Sequence, residues 1–175
     1  DAKFGSVFGQ GFTHYSIGDG AQSTINVAGS NLTQDVTLQA NTINFVGDLT
    51  LAAGKTLTVN AKTAAQQTAG KIKAANLAAL GGNITLDKAN EIGTLAADAL
   101  SVNVKSNALT VGAVTIPAGS PTAQTARTLK GVKAGESGGT AGDIQLSADA
   151  MTFNEAVEGK GNLIIQQATD ATNLN

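Results

Sequence analysis

The chain has no cysteine and no tryptophan, one methionine, one histidine and two prolines in 175 residues. Without cysteine there is no disulfide framework, no thiolate zinc site and no thiol nucleophile. The lone histidine, His14, excludes multi-histidine metal centres. Aromatic residues make up 3%, so bulky rings cannot fill a core. Charged residues make up 14%, against about 25% in an ordinary soluble domain. The net charge of -2 lacks the basic clusters that nucleic acid or anionic lipid require, so neither is expected as a partner. No apolar run approaches the ~20 residues of a membrane span, so direct membrane insertion is not expected. The N-terminus lacks the basic start and apolar stretch of a signal peptide.

What is abundant is small: 21 glycines, many alanines, and aliphatic side chains. Such residues suit a core laid down in thin layers, and the length suits one domain. The pattern stops in mid-repeat at Asn175, and the chain begins at Asp1 without Met, so we expect a segment of a larger protein.

The dominant signal is a four-residue alternation of apolar and polar side chains, the mark of a half-buried strand. It occurs at Thr24–Val27, Asp35–Leu38, Thr42–Phe45, Asp48–Leu51, Thr56–Val59 and Asn83–Leu86. It returns at Ser101–Val104, Ala108–Val111, Asp143–Leu146, Met151–Phe153 and Asn162–Ile165. Starts at positions 35, 42, 48 and 56 lie 7, 6 and 8 residues apart, which leaves room for a corner but not for a hairpin. A chain that turns corners without reversing must wind. Three such strands use about 20 residues, the coil length of a solenoid. The expected fold is all-β, a right-handed parallel β-helix of at most about nine coils and roughly 40 Å. A sandwich of short strands is the competing architecture.

Gly followed by Asx opens four of the strands, at Gly47-Asp48, Gly82-Asn83, Gly142-Asp143 and Gly161-Asn162. Glycine permits a tight corner, and Asx can hydrogen-bond its own backbone there. One β-helical segment is expected over 1–175. Residues 1–20 would form an aromatic cap or first coil, and 61–81 and 117–142 would leave the rod as loop excursions. The first of these is rich in Ala, Lys and Gln, and suits a short helix or an irregular coil.

Four of the six aromatics, Phe4, Phe8, Phe12 and Tyr15, fall near the N-terminus. They are the candidate contacts for a glycan or protein partner, since flat rings stack on sugar faces; covering the open end of the solenoid is the plainer role. Catalytic patterns are sparse. His14 with Ser16 and Asp19 lacks a nucleophile elbow. Gly54-Lys55-Thr56 lacks the upstream glycine and following helix of a phosphate loop. Glu155 and Glu158 are the nearest pair of carboxylates, and Arg127 is the sole arginine. No catalytic, cofactor-binding or metal site is expected, although a structural calcium at Asp19 or Asp143 stays open.

The phrasing of Ser101–Val104, Ala108–Gly112, Asp143–Ala148, Phe153–Val157 and Gly161–Gln166 resembles the repeats of filamentous-haemagglutinin-type large bacterial exoproteins. The likeness covers roughly residues 20 to 170. It implies a right-handed parallel β-helix from the shaft of an adhesin at the bacterial cell surface or secreted outside it. The implied partner is a host or neighbouring-cell surface, glycan or protein. The Asn-Pro motif of the secretion domain and an Arg-Gly-Asp tripeptide are both missing, so no functional residue carries over. The leading expectation is thus a structural, adhesive segment without catalysis. The alternative is a carbohydrate-binding or carbohydrate-active β-helix module.

Overall fold

Short alternating strands joined by links of a few residues can bury their apolar side only by stacking on the next turn of chain. The computed structural model shows this arrangement. It describes residues 12–18, 21, 24–119, 123, 125–135 and 141–169. The described residues hold fifteen strands and no helix. Parallel strands stack as a β-solenoid of about 7 turns, a rise of roughly 35 Å at ~4.8 Å per strand spacing.

Each coil has three sides. The first coil is β1 (His14–Ile17), β2 (Thr24–Val27) and β3 (Ser30–Leu32). β4 (Asp35–Phe45) covers the first two sides of the next coil, pairing with β1 and β2, and β5 (Leu49–Leu51) covers the third, pairing with β3. β6 (Thr56–Gln67) lies on β4, and β7 (Ile72–Ser106) bends round several corners to lie on β6 and β5. β8 (Ala108–Val111) follows. β9 (Ala113–Ile116) and β10 (Arg127–Lys130) form an antiparallel hairpin of their own. The stack resumes with β11 (Val132–Ala134), β12 (Ile144–Ser147) and β13 (Ala150–Phe153), and ends with β14 (Val157–Gly159) and β15 (Leu163–Gln166). All pairings outside the hairpin are parallel.

Stacking turns the alternation into columns. Ile25, Ile43 and Ala65 are in register inside, as are Leu38 and Val59 on the neighbouring side. Outside, Asn44 Nδ2 donates to Asn26 Oδ1 at 2.9 Å and Gln66 Nε2 to Asn44 Oδ1 at 2.8 Å, forming an amide ladder. Asn103 faces outward in the same way, in register with Gln145 on β12.

Residues 61–81 depart from the excursion expected of them. All but the corner at 68–71 belong to β6 and β7, which lie in register with each other and with β4. Their alanines are interior: Ala61, Ala65 and Ala79 are fully buried. Alanine there marks a narrow part of the core, which composition alone reads as helix. Of the second expected excursion, 117–142, the described residues show the β9–β10 hairpin at its start, reaching back to Ala113. Part of the expected 117–142 segment, β11, is back in the stack.

The corner aspartates also act differently from expectation. Asp48 Oδ1 accepts the Lys71 N–H at 2.8 Å, and Asp143 Oδ1 accepts the Asn162 N–H at 2.7 Å. Asp35 takes the Thr56 N–H at 2.7 Å and Asp149 the Thr169 N–H at 2.9 Å. Each carboxylate reaches the backbone one coil further on, not its own. The Thr169 amide and hydroxyl hold the Asp149 carboxyl below the usual range. Asp149 therefore stabilises its corner above the ordinary aspartate pKa and loses that contribution as pH falls through the lowered folded value.

Gly82 shows why a corner is glycine. A Cβ there would fall on the Thr63 carbonyl oxygen and carbon of the coil below. Gly82→Ala is expected to cost roughly 2–4 kcal/mol, lowering Tm on the order of 10 °C. A thermal melt by circular dichroism checks this, and an unchanged Tm would refute the close approach.

Candidate functional site

One side of the solenoid breaks the polar-outside rule. Ala78, Leu80 and Ala96 point outward from β7 yet are buried, because Val114, Ile116, Ala123 and Leu129 of the hairpin region pack over them. Gly131 N donates to Gly112 O at 3.0 Å, closing the neck of this excursion. In β4 and β6 the corresponding outward threonines, Thr37 and Thr58, are also fully buried, with hydroxyls that have no hydrogen-bond partner among the described residues. A dry stripe thus runs along this side.

Beside the stripe lies a cleft of about 680 Å³. Gln39 and Asn60, in register on β4 and β6, form one wall. Lys62, Asp98, Leu100, the hairpin's Arg127 and the glycines Gly81 and Gly82 also line it. The Gln39 Oε1 atom is buried and, among the described residues, has no hydrogen-bond partner. Among the described residues, Lys62, Asp98 and Arg127 enter none of the ion pairs. The cleft therefore mixes cationic donors with a carboxylate and two amides. That set suits a ligand carrying many hydroxyls, each able to donate and accept.

The aromatic candidates are not gathered here. Phe4 and Phe8 lie outside the described residues. Phe12 is 62% exposed, while Tyr15 is 8% exposed and belongs to the core. Their ring centroids are 6.1 Å apart and tilted by 53°. Of these two rings, Phe12 alone offers a face for stacking.

His14 is partly buried beside Asp35, and among the described residues neither ring nitrogen has a hydrogen-bond partner. Desolvation holds its pKa below 6.5, against the opposing pull of Asp35. Glu158 is bound to Lys133 at 3.1 Å on the outer surface. Asp143 is engaged at its corner, and among the described residues no three His, Cys, Asp or Glu side chains gather as a metal site.

Of the cleft residues, only Arg127 stands out in the sequence, by being the sole arginine. The missed signal is the facing of Ala78, Leu80 and Ala96. Small or apolar residues in outward positions of a solenoid require a cover, and the nearby proline-bearing excursion supplies it. Compared with models of protein families, with curated proteins and with solved structures, the chain matches none.

Proposed function

We propose that the chain is a structural and adhesive module, a β-solenoid segment of a large bacterial protein at the cell surface or outside the cell. In this reading it presents binding surfaces and performs no catalysis. The resemblance of its repeats to filamentous-haemagglutinin-type exoproteins supports the reading. The observation that carries it is the hairpin cleft: among the described residues, the antiparallel hairpin leaves the regular rod and helps to line a concavity of mixed polar and apolar side chains on its flank. Loops on solenoids are where binding surfaces arise. The ligand class is a glycan, held by Arg127 and Lys62 donating, Asp98 accepting, and the Asn60 amide doing both. Single-site binding is weak and gains strength by multivalency on a surface.

The test is binding of the labelled 175-residue chain to a glycan array and to intact cells. Arg127→Ala and Asn60→Ala are each expected to weaken retention about tenfold, the loss of one or two hydrogen bonds, one of them charge-assisted. Phe12→Ala should leave this cleft-dependent binding unchanged. No glycan or cell bound above background ends the proposal, and loss with Phe12→Ala alone moves the contact to the N-terminal ring.

A further inference from the structure

Directly opposed residues of an antiparallel pair turn their side chains to the same face. The hairpin sets Leu129 opposite Val114 and Arg127 opposite Ile116. Val114 and Ile116 are 1% and 0% exposed and pack with Leu129 over the outer stripe of β7. Arg127 therefore belongs to the hairpin's inner face as its polar member. It is exposed at the border of that face, where it lines the cleft. The outer face carries instead the hydrogen-bonded hydroxyls of Thr115 and Thr128, 3.1 Å apart. A hairpin serving only as a cover would have no use for a guanidinium on the side that meets the rod.

The rod supplies the groups across from it. Asn60 lies between Val59 and Ala61, both fully buried, and so faces outward. Asp98 lies between Ala97 and Ala99, 2% and 3% exposed, and faces outward for the same reason. Lys62 sits where the register of β6 against β7 shifts, between Ala61 and Ala64, and is exposed.

Elsewhere on the described surface, lysines stand against carboxylates. Lys71 and Lys73, for instance, hold Glu91 at 2.9 and 3.0 Å. In the cleft both signs are present, yet Arg127, Lys62 and Asp98 enter none of the ion pairs among the described residues. Two cations and one carboxylate leave this concavity at +1, on a chain whose net charge is -2. One carboxylate brought by the ligand makes the cleft neutral. A guanidinium takes a carboxylate through two parallel N–H···O bonds, a geometry that a lysine ammonium does not offer. Asp98 is then left to accept from sugar hydroxyls. A ligand with closely spaced anionic groups, such as a sulfated chain, would bring one of them against Asp98. An amino sugar would bring its ammonium towards Arg127 and Lys62.

We infer that the cleft takes an acidic sugar with one carboxylate per unit, a uronic or a sialic acid, bound by Arg127 with Lys62 beside it. The inference rests on the glycan reading of the cleft and names the chemical class within it. The carboxylate is common to both sugars, and the probes below tell them apart.

The test is titration calorimetry of the 175-residue chain with four probes: 3′-sialyllactose, a hyaluronan tetrasaccharide, and the methyl ester of each. Esterification keeps the hydroxyls and removes the charge. One of the two acids is expected to bind about tenfold or more tighter than its own ester, the value of one charge-assisted pair. The acid that shows this gap identifies the source. The gap should narrow between about 50 and 500 mM NaCl, because the pair is open to solvent. Arg127→Gln should erase the gap, leaving acid and ester alike. Asp98→Asn should tighten the acid by about threefold, since a like charge is removed.

Equal binding of acid and ester, or a preference for the ester, overturns the carboxylate and leaves the glycan reading standing. Weaker binding of the acid to Asp98→Asn, or tighter binding of a chondroitin sulfate tetrasaccharide than of the hyaluronan one, overturns the charge count. If neither the four probes nor any sugar on the glycan array binds, the glycan reading falls and this inference falls with it.

Discussion

Leu86→Asp is expected to abolish the fold of the middle coils. Leu86 is fully buried on the inner side of β7. A carboxylate there has no cation within the aliphatic column, and burying it unpaired costs more than about 5 kcal/mol even after its pKa rises. A domain of this size has only about 5–15 kcal/mol in total. Because each coil is held by its two neighbours, the loss spreads along the stack. The matched change, Leu163→Asp, places the same charge on the same inner side of the open last coil. Leu163 is 52% exposed, so the cost there should be below ~1 kcal/mol. Denaturant melts of the two variants should differ by several kcal/mol; equal melts would refute the assigned facing.

The facing itself is legible in the sequence, because a period of two beside corners too tight for hairpins leaves winding as the solution. Asp35–Leu38, Thr42–Phe45 and Thr56–Val59 all lie within observed strands. The alanine-rich stretch was harder. Ala61, Ala65 and Ala79 follow the same inward rule, but alanine carries little polarity contrast and a high helix propensity, so the alternation fades. The corner aspartates show a different limit. Their partners lie 19 to 23 residues away in the next coil, beyond any local motif. The cleft is a still longer-range product, since Gln39, Asp98 and Arg127 meet only once the hairpin folds back over β7.

Removal of Asn90 is the second change of large effect. Asn90 is fully buried, and its side chain is paired with Gln67, itself 4% exposed. Gln67 Nε2 donates to Asn90 Oδ1 at 2.8 Å, and Asn90 Nδ2 returns a bond to Gln67 Oε1 at 2.9 Å. The Ile72 N–H also donates to Asn90 Oδ1 at 2.8 Å, and Asn90 Nδ2 donates to Leu86 O at 3.1 Å. Asn90→Leu leaves the Gln67 amide and the Ile72 N–H short of partners in a dry interior. At roughly 1–3 kcal/mol per orphaned group, a loss of about 3–5 kcal/mol is expected. Gln67→Leu together with Asn90→Leu should recover part of it, because the largest orphan is removed. A double-mutant cycle from urea unfolding measures the coupling, and additive single effects would show that the pair does not act as a unit.

The neck of the excursion has a consequence for how such a rod can diversify. Gly112 and Gly131 are joined by a backbone hydrogen bond of 3.0 Å, so the chain leaves and re-enters the ladder at almost the same place. Whatever lies between them can be exchanged without altering the path of the coils. The host imposes one requirement on a replacement: it must shelter Ala78, Leu80 and Ala96, which would otherwise form a bare greasy strip. The solenoid is thus a mount with a fixed socket. New specificities can be grafted at residues 113–130 while the fold's own stability stays in the columns beneath.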